Sequence, residues 1–327
     1  MNCNLNRKKV IWIAWERHRR TITISRYLDI EPIIFVKDLP RFVKHPYFIL
    51  KTLFELFKHK PQNLIVQNPS IILALEACLF RRFFKYKLIV DAHNGGLIPD
   101  VVTLPVLQSI YQYVQKFADI TLVSNRYLGE VVEKNKGTPF VLPDKLPDIK
   151  FDKSTVNVKI KVVYICTFAI DDPYLAVLEA CRMLPEGINV YFTGNYNKSD
   201  ILKKNISKNI TLTGFLSDQK YWDLLKSADL IIDLTTRRDC LVCGAYEAVS
   251  TETPMILSNS RVLREFFNKG AVFTEVEASE IASAIITSVE KIRELQLGIK
   301  KLKCELNEKW EVIGANLKEL LGYSSES

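Results

Sequence analysis

Twice along its length this chain alternates short, continuous apolar runs with longer helical stretches. The run Lys87-Leu-Ile-Val-Asp91 illustrates the pattern: it lacks the every-second-residue alternation of a strand with one wet face. Continuous apolar runs suit strands covered on both sides, as in parallel sheets. Strand–helix alternation then implies crossovers that lay helices over both faces. Strands are predicted at 10–15, 31–36, 63–67, 87–91, 120–123 and 140–142, with helices between them at 70–84 and 104–117. The rhythm breaks at Leu142-Pro143-Asp144-Lys145-Leu146-Pro147-Asp148, where two prolines punctuate like a linker. It restarts with strands at 161–166, 189–193, 209–213, 230–234, 254–258 and 271–274. The fold class is therefore α/β, with two doubly wound Rossmann-like domains, at 1–145 and 146–300, and a long basic helix in 301–327.

A chain of 327 residues, 48% apolar, is large enough for two such cores. Its formal charge of +8 favours anionic partners: nucleotides or anionic lipid. Nucleic acid is not expected, since the charge is spread along the chain and no nucleic-acid motif accompanies it. The first apolar run, 10–15, is too short for a signal peptide, and no stretch approaches about 18 uncharged apolar residues. Seven scattered cysteines fit reduced thiols. Together these predict a cytoplasmic protein.

Ligands of doubly wound sheets bind beyond the carboxyl ends of the strands, so the residues there carry the functional argument. The densest segment is Arg237-Arg238-Asp239-Cys240-Leu241-Val242-Cys243-Gly244-Ala245-Tyr246-Glu247-Ala248. It opens a helix with glycine at its start and places two acids seven residues apart. Helix N-termini present free N–H groups to phosphate, and carboxylates accept hydrogen bonds from sugar hydroxyls. Phosphate plus polyol describes a nucleotide-sugar. The pair Cys240 and Cys243 is only half a zinc site, and no second pair with metal spacing accompanies it.

The spacing of Asp239 and Glu247, in its strand–loop–helix–strand setting, resembles the acid-x7-acid motif of family 4 glycosyltransferases, which normally have Glu at both positions. That resemblance implies the GT-B fold: two Rossmann-like domains facing each other across a cleft, with the terminal helix returning to the first. It implies that Glu247 binds the donor's ribose and that Asp239 touches the transferred sugar. Gly244 and Ala245 would offer backbone N–H groups to the diphosphate. The turn Gly214-Phe215-Leu216 would hold the nucleobase, although a core role for Phe215 is equally open. Relatives carry an Arg and a Lys in the loop after the first strand of this domain. Here that loop is Thr167-Phe168-Ala169-Ile170-Asp171-Asp172-Pro173, with Thr167 as a donor-site candidate but no cation. Its two acids would repel phosphate, so the charge is assigned instead to Arg237 and Arg238, whose planar forks suit phosphate.

In the first half, Asp91-Ala92-His93-Asn94-Gly95-Gly96 ends a strand and is expected to form a mobile loop. A His near this place lines the catalytic cleft in the family that the chain resembles, so His93 joins Asp239 as a catalytic candidate, with Asn94 beside it. The run Trp15-Glu16-Arg17-His18-Arg19-Arg20 replaces the glycine-rich loop of many relatives and resembles bacterial surface-polysaccharide transferases. Arg17, His18 and Arg19 are candidates to face a phosphate of donor or acceptor. Two stretches, 42–60 and 81–87, mix aromatics with cations, as segments lying on an anionic membrane do.

The reading is a glycosyltransferase moving sugar from a UDP- or GDP-linked donor to a glycan or polyprenyl-linked acceptor, at the inner face of the plasma membrane. The resemblance implies retention of configuration. No Asp-x-Asp motif is present, so neither metal nor cofactor is expected. The alternatives are a sugar-nucleotide epimerase of the same fold and a non-catalytic GT-B-like partner subunit.

Overall fold

The computed structural model describes residues 9–68, 70–97, 105–149, 159–199 and 206–323. The chain divides into two compact units, one of Met1–Lys145 with Lys309–Ser327 and one of Leu146–Glu308. Each unit is built on a six-stranded sheet whose paired strands are all parallel.

In the first unit the strands are β1 (Val10–Ala14), β2 (Ile33–Ile34), β3 (Asn63–Asn68), β4 (Lys87–Ala92), β5 (Ile120–Val123) and β6 (Pro139–Val141), in the order β2-β1-β3-β4-β5-β6. Helices α1 (Arg19–Tyr27), α2 (Arg41–His59), α3 (Ile71–Phe84), α4 (Asn94–Leu97), α5 (Pro105–Phe117) and α6 (Arg126–Lys134) connect them. The strands bury both faces, as their unbroken apolar runs require. Ile13, Leu64, Val66, Leu88 and Val90 point into a core shared with α2 and α3. Trp12, Ile65, Ile89 and Leu122 point the other way, to a core completed by Trp310, Leu317 and Leu321.

In the second unit the strands are β7 (Ile160–Tyr164), β8 (Ile188–Thr193), β9 (Ile210–Gly214), β10 (Leu230–Asp233), β11 (Met255–Ser258) and β12 (Ala271–Thr274), ordered β12-β11-β10-β7-β8-β9. Their helices are α7 (Tyr174–Cys181), α8 (Asp218–Lys226), α9 (Cys243–Ser250), α10 (Arg261–Phe266) and α11 (Ala278–Glu290). The strand order turns back beside β7 and β10, and crevices at the carboxyl ends of such neighbours are where this kind of sheet binds ligands.

Helix α12 (Ile292–Leu320) spans the boundary at Lys309, and its last turns belong to the first unit. There Trp310 meets Tyr27 edge to face at 4.6 Å and donates its indole N–H to the Pro143 carbonyl at 2.9 Å. The Leu321 carbonyl accepts from Asn63 Nδ2 at 3.1 Å.

The sequence-predicted strands all form, with ends shifted by a residue or two. The 70–84 helix begins at Ile71; for the 104–117 helix, Leu104 lies outside the described residues and the helix runs from Pro105. The expected mobile loop after β4 is instead the helical turn α4. Its Gly96 is required by packing, because a Cβ there would lie 2.7 Å from Asn68 Cγ, while Asn68 Nδ2 donates to the Gly96 carbonyl at 2.8 Å.

One buried charge site in the first core lacks compensation. Glu76 on α3 is 5% exposed, and neither carboxylate oxygen has a hydrogen-bond partner. Burial pushes its pKa from 4.5 up to about 8, because desolvation penalises the charged form. Between those values the unfolded chain releases a proton that the folded chain keeps, so this group's contribution to stability is full below 4.5 and falls as pH rises to about 8. Glu76→Gln is therefore expected to raise the thermal midpoint at pH 8, by the equivalent of about 4 kcal/mol, and to leave it unchanged near pH 4.5. A stability difference independent of pH would show that Glu76 is ionised in the fold.

Candidate functional site

The donor-side candidates gather at the carboxyl ends of β7 and β10. Glu247 is the fifth of the eight residues of α9 and is 4% exposed. Tyr221 of α8 donates its hydroxyl to Glu247 Oε2 at 2.5 Å. An acid this buried needs such a charge-assisted partner, and the bond fixes the carboxylate on the rim of the helix.

The start of α9 differs from the sequence expectation. Gly244 and Ala245 do not simply present free N–H groups to a diphosphate: both engage the carboxyl of Asp233, the last residue of β10. A Cβ at Gly244 would collide with that carboxyl, which is why glycine stands there. Burial is the chief reason that the Asp233 pKa is raised well above the ordinary carboxylate range; the neighbouring charges of Glu247 and Asp172 add to it, and the two backbone N–H groups work against it. The pattern that failed here was the glycine itself, which was read as room for ligand when it is room for Asp233.

The loop after β7 is likewise closed by its own acids. Asp172 Oδ2 accepts from Thr167 N at 2.7 Å, Thr167 Oγ1 at 2.8 Å and Ala169 N at 3.1 Å. This wrapping holds Phe168 at φ 58°. Asp171 Oδ2 accepts from Thr235 Oγ1 at 3.1 Å and pairs with Arg237 Nε at 3.1 Å. The acids expected to repel phosphate are thus turned onto the loop's own donors, and Arg237 already has a carboxylate partner. Arg238 is exposed.

Asp239 sits in the left-handed region at φ 53° and takes both forks of Arg261, at 2.8 and 3.0 Å. Arg261, the first residue of α10, is a cation that sequence reasoning passed over; only its position just past a strand end marked it. Phe215 is 86% exposed, which excludes the core role, and Leu216 beside it is half-buried. Ser217 stands at the N-cap of α8 without a side-chain capping bond. Cys240 and Cys243 are not joined in a disulfide, and among the described residues no group of three or more His, Cys, Asp or Glu side chains could hold a metal ion.

In the first unit the expected Arg17–His18–Arg19 trio separates. His18 is the N-cap of α1, its Nδ1 accepting from Arg20 N at 3.2 Å. Arg19 is exposed on the first turn. Arg17 lines a groove with Arg26, Asp29 and Glu31. The cation that does enter the site is the next residue. Arg20 is buried, its Nε 2.8 Å from Asp91 Oδ1 and its Nη1 2.5 Å from Asp144 Oδ1. Burial alone would lower its pKa; the two carboxylates outweigh that and raise it, while burial's upward push on Asp144 is outweighed by Arg20.

His93 lies beside this triad. Its ring packs at 66° to that of His18 with centroids 4.2 Å apart, and its Nε2 is 3.8 Å from Asp91 Oδ2. Burial lowers its pKa to about 4, against the opposing pull of Asp91. It is a neutral imidazole at pH 7, able to donate at one nitrogen and accept at the other. Gln67, the neighbour of Asp91 in the β3–β4 register, is fully buried with neither amide atom hydrogen-bonded. Asn94 opens α4 directly after His93.

Comparison with known proteins agrees with this geometry. Residues 148–303 match the family described as Glycosyl transferases group 1. The matched segment lies within the second unit and spans 156 of the chain's 327 residues. Comparison with curated proteins finds no match. Sucrose-phosphate synthase from Thermosynechococcus elongatus superposes with a TM-score of 0.78 at 14% identity, over 96% of this chain and 98% of that one. HepE of Anabaena, in complex with UDP-glucose, gives 0.75 at 12%, over 97% and 100%. A UDP-N-acetylglucosamine 2-epimerase from Listeria monocytogenes, described as putative, gives 0.61 at 12%, over 95% and 97%. At such identities the solved structures speak for the fold, which is GT-B. With the group 1 match inside its second unit, the chain reads as a glycosyltransferase of GT-B fold.

The Asp233–Gly244 contact makes a prediction. Gly244→Ala should destabilise the protein by about 1–3 kcal/mol, the usual cost of overpacking. Adding Asp233→Ala should recover much of that loss. Strictly additive effects in chemical denaturation would mean that the two positions do not compete for one space.

Proposed function

We propose that the second unit binds a UDP- or GDP-linked sugar and that the enzyme passes the sugar to a glycan or polyprenyl-linked acceptor. The observation that carries this reading is Glu247: a buried carboxylate, oriented by Tyr221, midway along the short helix that follows a parallel strand. Ribose hydroxyls donate to such an acceptor. Phe215, exposed beside the β9 turn, stacks on the base. Arg237, Arg238 and Arg261 supply the positive charge that lets the diphosphate leave, Arg237 and Arg261 by exchanging a carboxylate for phosphate. Asp239 then contacts the transferred sugar, while neutral His93 serves the reacting centre as a hydrogen-bonding group. Retention without metal is part of this proposal and rests on the family resemblance and the lack of an Asp-x-Asp motif.

The acceptor is proposed to reach the enzyme from an anionic membrane. Helices α2, α3 and α5 carry an apolar face that water does not explain: Phe42, Leu50, Phe54, Phe57, Phe83 and Val106 are each more than half exposed. Phe57 and Phe83 meet at 6.0 Å, and the cations of 51, 58, 82 and 85 lie on the same two helices or at their ends. Aromatics with Lys and Arg suit an anionic lipid surface. No helix among the described residues is long and apolar enough to cross a membrane.

Glu247→Ala, in a folded variant, should weaken UDP-sugar binding by at least about 1.5 kcal/mol in calorimetry; unchanged affinity sinks the assignment. The protein should co-sediment with phosphatidylserine vesicles at low salt, release at high salt and ignore neutral vesicles. Charge reversal at Lys51, Lys58, Arg81 and Arg82 should abolish this without loss of nucleotide binding. Equal binding to both vesicle types removes the membrane surface from the proposal. The likeness to an epimerase keeps one second reading, which isomerisation of UDP-N-acetylglucosamine in the absence of acceptor would favour.

A further inference from the structure

The anion-binding elements of the second unit are already engaged with carboxylates of the chain itself. The clearest case is Asp172. A single oxygen, Oδ2, gathers two backbone N–H groups and the Thr167 hydroxyl within 3.1 Å. Backbone N–H groups that converge on one anion, here those of Thr167 and Ala169, resemble the concavities in which proteins hold phosphate, and this one lies beyond the end of β7, where doubly wound sheets bind ligands. The loop is also laced to the Glu247 side of the site. Thr236 N donates to the Asp171 carbonyl at 3.0 Å, and Thr235 Oγ1 to the Asp171 carboxylate at 3.1 Å.

We propose that Asp172 stands in for phosphate in this loop and sets an affinity threshold: it weakens every phosphate-bearing ligand alike, so that only one with further contacts, such as a nucleoside, is held at low concentration. A free phosphate or pyrophosphate ion would have to displace the carboxylate with nothing to offset the exchange. A nucleotide-sugar brings further contacts, the ribose to Glu247 among them, and these offset the displacement. The inference rests on the donor-site reading above. It concerns a different quantity: how tightly any phosphate-bearing ligand is held in this loop rather than whether a donor binds. It also accounts for the departure of this loop from an Arg- and Lys-bearing one, because a cation there would attract every phosphate alike, whereas a carboxylate in the cradle imposes an equal cost on all of them and leaves the nucleoside to decide.

The test is calorimetric titration of the whole protein with pyrophosphate, UDP and uridine, for wild type, Asp172→Asn and Asp172→Ser, each checked for an unchanged circular dichroism spectrum. Removing the charge should tighten pyrophosphate and UDP by about tenfold and leave uridine, which has no phosphate, where it was. Two variants guard against one failing to fold. Weaker UDP binding in a folded variant, or pyrophosphate affinity equal to wild type in both, would overturn the proposal and leave the donor reading standing. Equal tightening of uridine would also overturn it, by showing general loosening of the loop. Wild type that binds neither UDP nor uridine, beside variants that gain pyrophosphate, would uphold the role of Asp172 and sink the donor reading.

Discussion

A parallel sheet covered on both faces leaves its strands no room for polar side chains except at their ends. Both sheets here obey that constraint, and the chemistry follows from it. Gln67, Asp91 and His93 cluster where β3 and β4 finish. Asp233 closes β10, and Thr167 to Asp172 follow β7. Every backbone group and side chain leaving the sheet at these points needs a partner. In both units the solution is the same: carboxylates are drawn in to meet cations and N–H groups before any ligand arrives.

The Arg20 triad has the same logic in the first unit. A guanidinium that is 4% exposed joins α1, the end of β4 and the segment following β6. Ion pairs of this kind contribute little net stability relative to an apolar core, yet losing one partner leaves a bare buried charge. Such a triad therefore fixes geometry more than it adds free energy. What it fixes is the carboxylate against which His93 lies.

Most of the fold was legible in the sequence because continuous apolar runs such as 87–91 have few other uses. The helix that opens between Asp239 and Glu247 was legible from spacing and context. Other features of the site were not. Asp233 ends an apolar strand and looks like the boundary of a run; nothing local says that it folds back under Gly244. Arg20 and Asp144 are 124 residues apart, and only tertiary structure joins them. His18 read as a ligand candidate although its nearest partner is the N–H two residues on. Local side-chain capping competes with every ligand reading of a polar residue at a helix start.

The last turns of α12 complete the first unit's core with Trp310, Leu317 and Leu321, and their carbonyls receive Asn63 and Lys87. A ribosome makes Trp12 some three hundred residues before Trp310. Throughout that interval one face of the first sheet lacks the part of its cover that α12 supplies, while the second unit, contiguous in the chain at Leu146–Glu308, has all its residues at hand. The order of maturation is then the reverse of the order of synthesis: the half made first is finished last. Until then the uncovered part of that face is the surface that a chaperone would engage.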